Sequence, residues 1–207
     1  MIGGFVRSAA WWNADAGPPQ ADLLPRPLRA RASLPTRILA HVLDRLDASV
    51  PLGELPWVVG SPPAAHDRLA QGSPLRAVLG PSAGLSLVHA GPATVPMALL
   101  EALARLNDHD AVLVAFAHDA TPPYSEAMAA AFVLAARDVP DDRLVLEVSR
   151  LHRAAADAPD RRDSQSSFDA ALRLAHAASV GQPTSESFAT TGPDPRECWG
   201  IELRAAY

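Results

Sequence analysis

Residues 88–119 read VHAGPATVPMALLEALARLNDHDAVLVAFAHD, and this stretch decides the fold. A loop of small residues leads into a helix predicted over 95–106, where Val95, Leu99, Ala102, Leu103 and Leu106 recur on one face. The apolar run at 111–117 has no polar alternation, as expected of a strand covered on both faces. Loop, amphipathic helix and buried strand in that order predict an α/β protein. A loop-to-helix junction is also where many enzymes place a nucleophile. No Cys or Ser stands at this one.

The flanking sequence extends the pattern. Strands are expected at 2–10, 55–61 and 143–151, and a terminal strand in CWGIELR, residues 198–204. Helices are expected over 35–48, where Ile38, Leu39, Val42, Leu43 and Leu46 share a face, over the short segment 64–71, and from Phe168 to Ser179. Residues 127–135, AMAAAFVLA, fit a helix by their alanines and a strand by their length and flanks. Prolines at 18, 19, 25 and 27 make that region a loop. Residues 72–94 and the tail from 181 to 197 are dominated by Gly, Pro, Ser and Thr.

At 207 residues the chain is long enough for one domain with a substantial core. Hydrophobic residues make up 48% and charged residues 20%, within the range of water-soluble globules. A net charge of −5 offers no basic excess for phosphates, so nucleic acid is not expected as the main partner. The single cysteine, Cys198, excludes an internal disulfide and a multi-cysteine metal site. Its tail setting beside Trp199 favours a structural role, since a reactive thiol needs a fixed electropositive environment. The N-terminus lacks a basic segment followed by an apolar one, and no apolar run approaches the ~20 residues of a membrane span. A cytoplasmic protein is expected.

Four other features could carry chemistry. GPSAG, residues 80–84, matches the G-x-S-x-G elbow of serine hydrolases with Ser82 as nucleophile, and Asp110, Asp119, His152 and His176 could complete a triad. However, Pro81 precedes the serine and no helix start follows, which favours a plain turn. NDHD at 107–110 and His118-Asp119 resemble metal ligands, but a strand at ~3.3 Å per residue holds them roughly 26 Å apart. No shared metal site is expected. His89, between Val88 and Ala90-Gly91, is either a general base in a pocket or a half-buried histidine bonded to backbone. Arg26, Arg29, Arg31 and Arg37 form the densest basic cluster, which is either a docking patch or a solvated face.

LRARASLPTRI, PWVVGS, SPLRAVLGPSAGLSLVHAG and MALLEALARLNDHDAVLVAF, together with CWGIELR, resemble the small stand-alone β-ketoacyl-synthase-like proteins of aryl polyene and xanthomonadin-type pigment biosynthesis. The likeness runs through residues 20–150 and the C-terminal segment. That family's Phe-Ser-Leu-Ser-Val-His-Asn-Ala run reads here Leu85-Ser86-Leu87-Val88-His89-Ala90, a divergent form. The resemblance implies a thiolase-like, condensing-enzyme half fold with layered helices and a mixed sheet. Residues 1–155 would form its core, and 156–207 would complete the same domain. The helix near 95–106 would correspond to the nucleophile helix, with Thr94 and Met97 as the nearest candidates and no cysteine. The resemblance therefore implies a non-catalytic subunit without cofactor or metal. Such a subunit would pair with a catalytic ketosynthase and bound its acyl-chain tunnel like a chain-length factor, with an acyl carrier protein as a further partner. Ser86, Val88, His89, Ala90, Gly91, Thr94 and Met97 are then the candidate pocket or interface residues. Arg26, Arg29, Arg31 and Arg37 are the candidate carrier-protein dock. The alternative from the residues alone is a small serine hydrolase using Ser82.

Overall fold

The computed structural model describes residues 2–46, 50–62, 84–120, 126–137, 144–152, 165–189 and 197–206. Among the described residues eight strands form one mixed sheet: β1 (Ile2–Asn13), β2 (Trp57–Gly60), β3 (Leu85–Val88), β4 (Ala111–His118), β5 (Met128–Ala135), β6 (Leu144–His152), β7 (Thr184–Ala189) and β8 (Glu197–Ala205). Their order is β3-β2-β4-β5-β1-β6-β8-β7. β2 runs parallel to β3 and β4, and every other pairing is antiparallel. The α-helices among the described residues are α1 (Arg26–Arg29), α2 (Leu34–Leu43), α3 (Thr94–Arg105) and α4 (Gln165–Ser179).

Side-chain alternation sorts the core into two layers. Leu113, Ala115 and Ala117 of β4 and Ala129, Ala131 and Val133 of β5 pack under α2, with Ile38, Leu39, Val42 and Leu43. Val112, Val114 and Phe116 of β4 and Ala130, Phe132 and Leu134 of β5 face the other way, onto α3 and α4. This double coverage buries all eight residues of each strand and explains their unbroken apolar sequence. It also resolves Met128–Ala135 as strand. The alanines there are small residues in a sheet compressed between helices. Ser33 caps α2 by accepting from the Thr36 amide, and Pro35 occupies its first turn. α2 ends at Leu43 rather than near 48.

β1 crosses between the two halves of the sheet and contains a bulge. Val6 pairs with Leu134 but Ser8 pairs with Val133, so Arg7 is an inserted residue. Before it, Val6 faces the α3 and α4 layer; after it, Ala10 and Trp12 face α2. The extra residue reverses the parity of the strand. Two strands lie in segments expected to be irregular. LSLV, within 72–94, forms β3, and TSESFA, within the tail, forms β7. α1 falls in the proline-rich loop. The helix expected at 64–71 lies outside the described residues. No helix among the described residues is long and apolar enough to cross a membrane.

Candidate functional site

The parallel strands end at one edge of the sheet. Gly60 and Ser61 follow from β2, Val88 and His89 from β3, and His118 and Asp119 from β4. In open α/β sheets, ligands gather beyond such carboxyl ends. α3 begins at this edge, after a turn in which Gly91 has a φ of +55°, a left-handed conformation that favours glycine. Gly60 lets the helix approach closely. A Cβ there would lie 2.8 Å from the Phe116 ring and 3.2 Å from Thr94 Cγ2.

The start of α3 contains one hydroxyl, Thr94. It is fully buried. Its Oγ1 donates to the Gly91 carbonyl at 2.7 Å and accepts from the Ala90 amide at 3.0 Å. Its only proton is thus committed to the turn that sets the helix entry. His89 lies exposed beside it, with Nδ1 at 3.2 Å from the Ser61 carbonyl. A carbonyl can only accept, so Nδ1 carries the proton in that bond.

The same edge opens, further along, into a cleft of about 200 Å³. Its floor is one row across three strands, because Met128 is in register with both Asn13 and His118. Glu126 lies at its rim and Asp169 and Leu172 of α4 above it. His118 is buried, its Nδ1 is 3.0 Å from the Asp119 carbonyl, and its ring meets Phe168 edge-on with centroids 5.0 Å apart. Burial lowers its pKa, opposed by the bond to the Asp119 carbonyl and by the charges of Asp169 and Asp119. The imidazole is therefore held neutral. Phe168 also meets Phe116, centroids 6.5 Å apart. Phe168 thus bridges Phe116 of β4 and His118 in the cleft.

No protein-family model matches the sequence, and no curated protein matches it. Solved structures do match its shape. A chain of the ketosynthase and chain length factor complex from Xenorhabdus doucetiae is 16% identical over 88% of this chain and 83% of its own, with a TM-score of 0.56. The HMG synthase of the curacin biosynthetic pathway is 10% identical over 99% and 80%, with a TM-score of 0.57. An OleA variant from Xanthomonas campestris is 11% identical over 98% of both chains, with a TM-score of 0.56. The chain has a thiolase-like fold.

Within this thiolase-like fold the expected residues separate. Gly91 and Thr94 build the entry to α3, and His89 and Ala90 are exposed beside it. Val88 is half-buried against the α3 layer. Ser86 is turned to the far end of α3, where its Oγ accepts from Arg105, which also pairs with Glu101 at 2.8 Å. Met97 lies on the outer face of α3 and is 41% exposed. Of the arginines, Arg29 donates to Asp22 Oδ1 at 2.7 Å and to the Leu24 carbonyl at 3.1 Å. Arg37 is half-buried, whereas Arg26 and Arg31 are exposed. Ser82 and the preceding residues of GPSAG lie outside the described residues. Asp110 and Asp119 lie at opposite ends of β4, and His176 packs against Trp11, ring centroids 4.8 Å apart. The side chains of His152 and Cys198 also lie outside the described residues. Among the described residues no group of three or more His, Cys, Asp or Glu could hold a metal ion.

The cleft around His118 was not anticipated. A signal existed, since His118 has the parity of Phe116 and ends a strand parallel to its neighbour.

Proposed function

We propose that this chain is a non-catalytic, ketosynthase-like subunit. It pairs with a catalytic ketosynthase and bounds the tunnel holding the growing acyl chain, in aryl polyene or related pigment biosynthesis. One observation carries the reading. At the start of α3 the only hydroxyl, Thr94, is fully buried and bonded to Gly91 and Ala90, which leaves no free hydroxyl or thiol at that position among the described residues. The thiolase-like fold supports it, as does the likeness to a complex that itself contains a chain length factor. The outer face of α3 offers Met97 and the half-buried Leu100 to a partner, while His89, Ala90 and Gly91 line the approach to its N-terminus. Exposed Arg26 and Arg31, together with the half-buried Arg29 and Arg37, would meet an acidic acyl carrier protein.

The test is co-expression with a ketosynthase from the same genome, followed by size-exclusion chromatography with mass detection. A stable one-to-one complex is expected, and Met97→Glu should weaken it. A chain that stays monomeric beside every ketosynthase offered would refute the assignment. Reversing Arg26 and Arg31 to Glu should weaken carrier-protein binding while leaving the one-to-one complex intact.

A further inference from the structure

The segment between β1 and α1 is held to the rest of the molecule by a small set of identifiable contacts. Trp12 Nε1 donates to the Gly17 carbonyl at 3.0 Å. The Gln20 amide donates to His41 Nδ1 at 3.1 Å. Ala21 and Leu24 are fully buried in a cluster with Ala40 of α2. Arg29 reaches back to Asp22 and to the Leu24 carbonyl. Ala21 has a φ of +53°, a conformation strained for a residue with a Cβ and kept only because its neighbours impose it.

Among these contacts the His41 bond is distinct. His41 is 4% exposed and lies in the last turn of α2. Its Nδ1 acts as an acceptor, which only the neutral imidazole can do, because both ring nitrogens of the cation are donors. The charged groups acting on it are Arg45 and Asp44 from the end of α2 and Asp22 from the segment itself. A proton on Nδ1 would leave two N–H groups facing each other and a buried charge under the strained turn.

We propose that His41 is an acid-sensitive latch: its neutral ring fastens the 17–24 segment to α2, and protonation releases that segment together with the arginines that follow it. The ring's lowered pKa, caused first by burial and then by Arg45 and opposed by Asp44 and Asp22, fits a latch closed at neutral pH. Once the segment is released, the ring loses the burial that lowers its pKa and takes a proton more readily than in the closed latch. Release is then favoured by up to about tenfold per pH unit over the range in which the freed ring is protonated and the latched ring is not. This inference does not depend on the ketosynthase-pairing reading.

Hydrogen exchange of the full chain between pH 7.5 and 5, corrected for intrinsic rates, tests it. The Gln20 amide and its neighbours should lose about tenfold in protection, while the β4 amides from Val112 to Phe116 keep theirs. His41→Asn places an amide oxygen near the Nδ1 position and does not titrate, so its 17–24 protection should stay flat. Trypsin cleavage after Arg29 and Arg31 should accelerate in acid in the wild type only. Unchanged Gln20 protection down to pH 5, or a loss shared equally with β4, would overturn the latch. So would a variant that follows the wild type. Should His41→Asn fail to fold, imidazole nitrogen shifts of the wild type decide the matter. Nδ1 must gain its proton over the same pH range in which Gln20 loses protection, and a mismatch would overturn the proposal.

Discussion

The two halves of the sheet are covered differently, and their sequences differ accordingly. β4 and β5 lie between α2 on one face and α3 and α4 on the other, and all their residues are buried and mostly apolar. β6 and β8 have a helix on one face only, among the described residues. Leu144, Leu146, Val148, Ile201 and Leu203 lie in the core layer with α4, while Val145, Glu147, Ser149, Glu202 and Arg204 alternate with them. An unbroken apolar run reports two covered faces, and alternation reports one. The comparison also places the candidate site. The cleft and the start of α3 both belong to the doubly covered half, where a buried polar group needs a defined partner.

Mutations should reveal the asymmetry. The largest effect is expected from Phe132→Ala in β5, fully buried in the α3 and α4 layer. About 3–5 kcal/mol of stability should be lost, read by chemical denaturation. Gly60→Ala should follow at about 1–3 kcal/mol, because the new methyl meets Phe116 and Thr94 at the entry of α3. It should also shift the amide resonances of Ala90 and Gly91, which answer to Thr94. In the singly covered half, Glu147 pairs with Arg204 across β6 and β8, with Arg204 39% exposed and Glu147 11%. Glu147→Gln should cost only about 1 kcal/mol, shrinking in high salt, since solvent reaches the arginine. A cost equal to that of Phe132→Ala would mean that the second face of β6 is covered after all.

Legibility followed the same division. The run at 111–117 and the helix after 94 were readable because coverage on both faces leaves a continuous apolar signal with a helical stripe beside it. The singly covered β6 and β8 were readable by their termini and alternation. β3 and β7 were not, because each is an edge strand of four to six residues whose sequence, LSLV or TSESFA, carries little hydrophobic contrast. The bulge at Arg7 was invisible for a different reason. It is defined by pairing with β5, more than a hundred residues away. Of the candidate site, the residue types at the start of α3, with Thr94 and no Cys or Ser, are legible residue by residue. The bonding of Thr94 and the row Asn13, Met128 and His118 depend on register, which a single sequence does not state.

The smallest effect at neutral pH is the acid response of His118, and it should belong to the doubly covered half alone. Its folded pKa is lowered, first by burial, whereas the unfolded ring titrates near 6.5. Between those two values the unfolded chain binds more protons, so stability rises with pH. The contribution is complete above 6.5, where both rings are neutral. It is lost as the pH falls through that window toward the folded value, below which the group adds no further slope. His41 carries the same sign, so a variant at one position removes only part of the acid limb. Denaturation midpoints of the wild type and His118→Asn, measured from pH 7.5 to 5, should differ by a nearly constant amount above 6.5 and converge below it. The convergence should accompany exchange at β4 before exchange at β8. If the two proteins instead track each other with a fixed offset throughout, His118 is not the group that β4 keeps neutral, and the acid sensitivity must be sought outside this site.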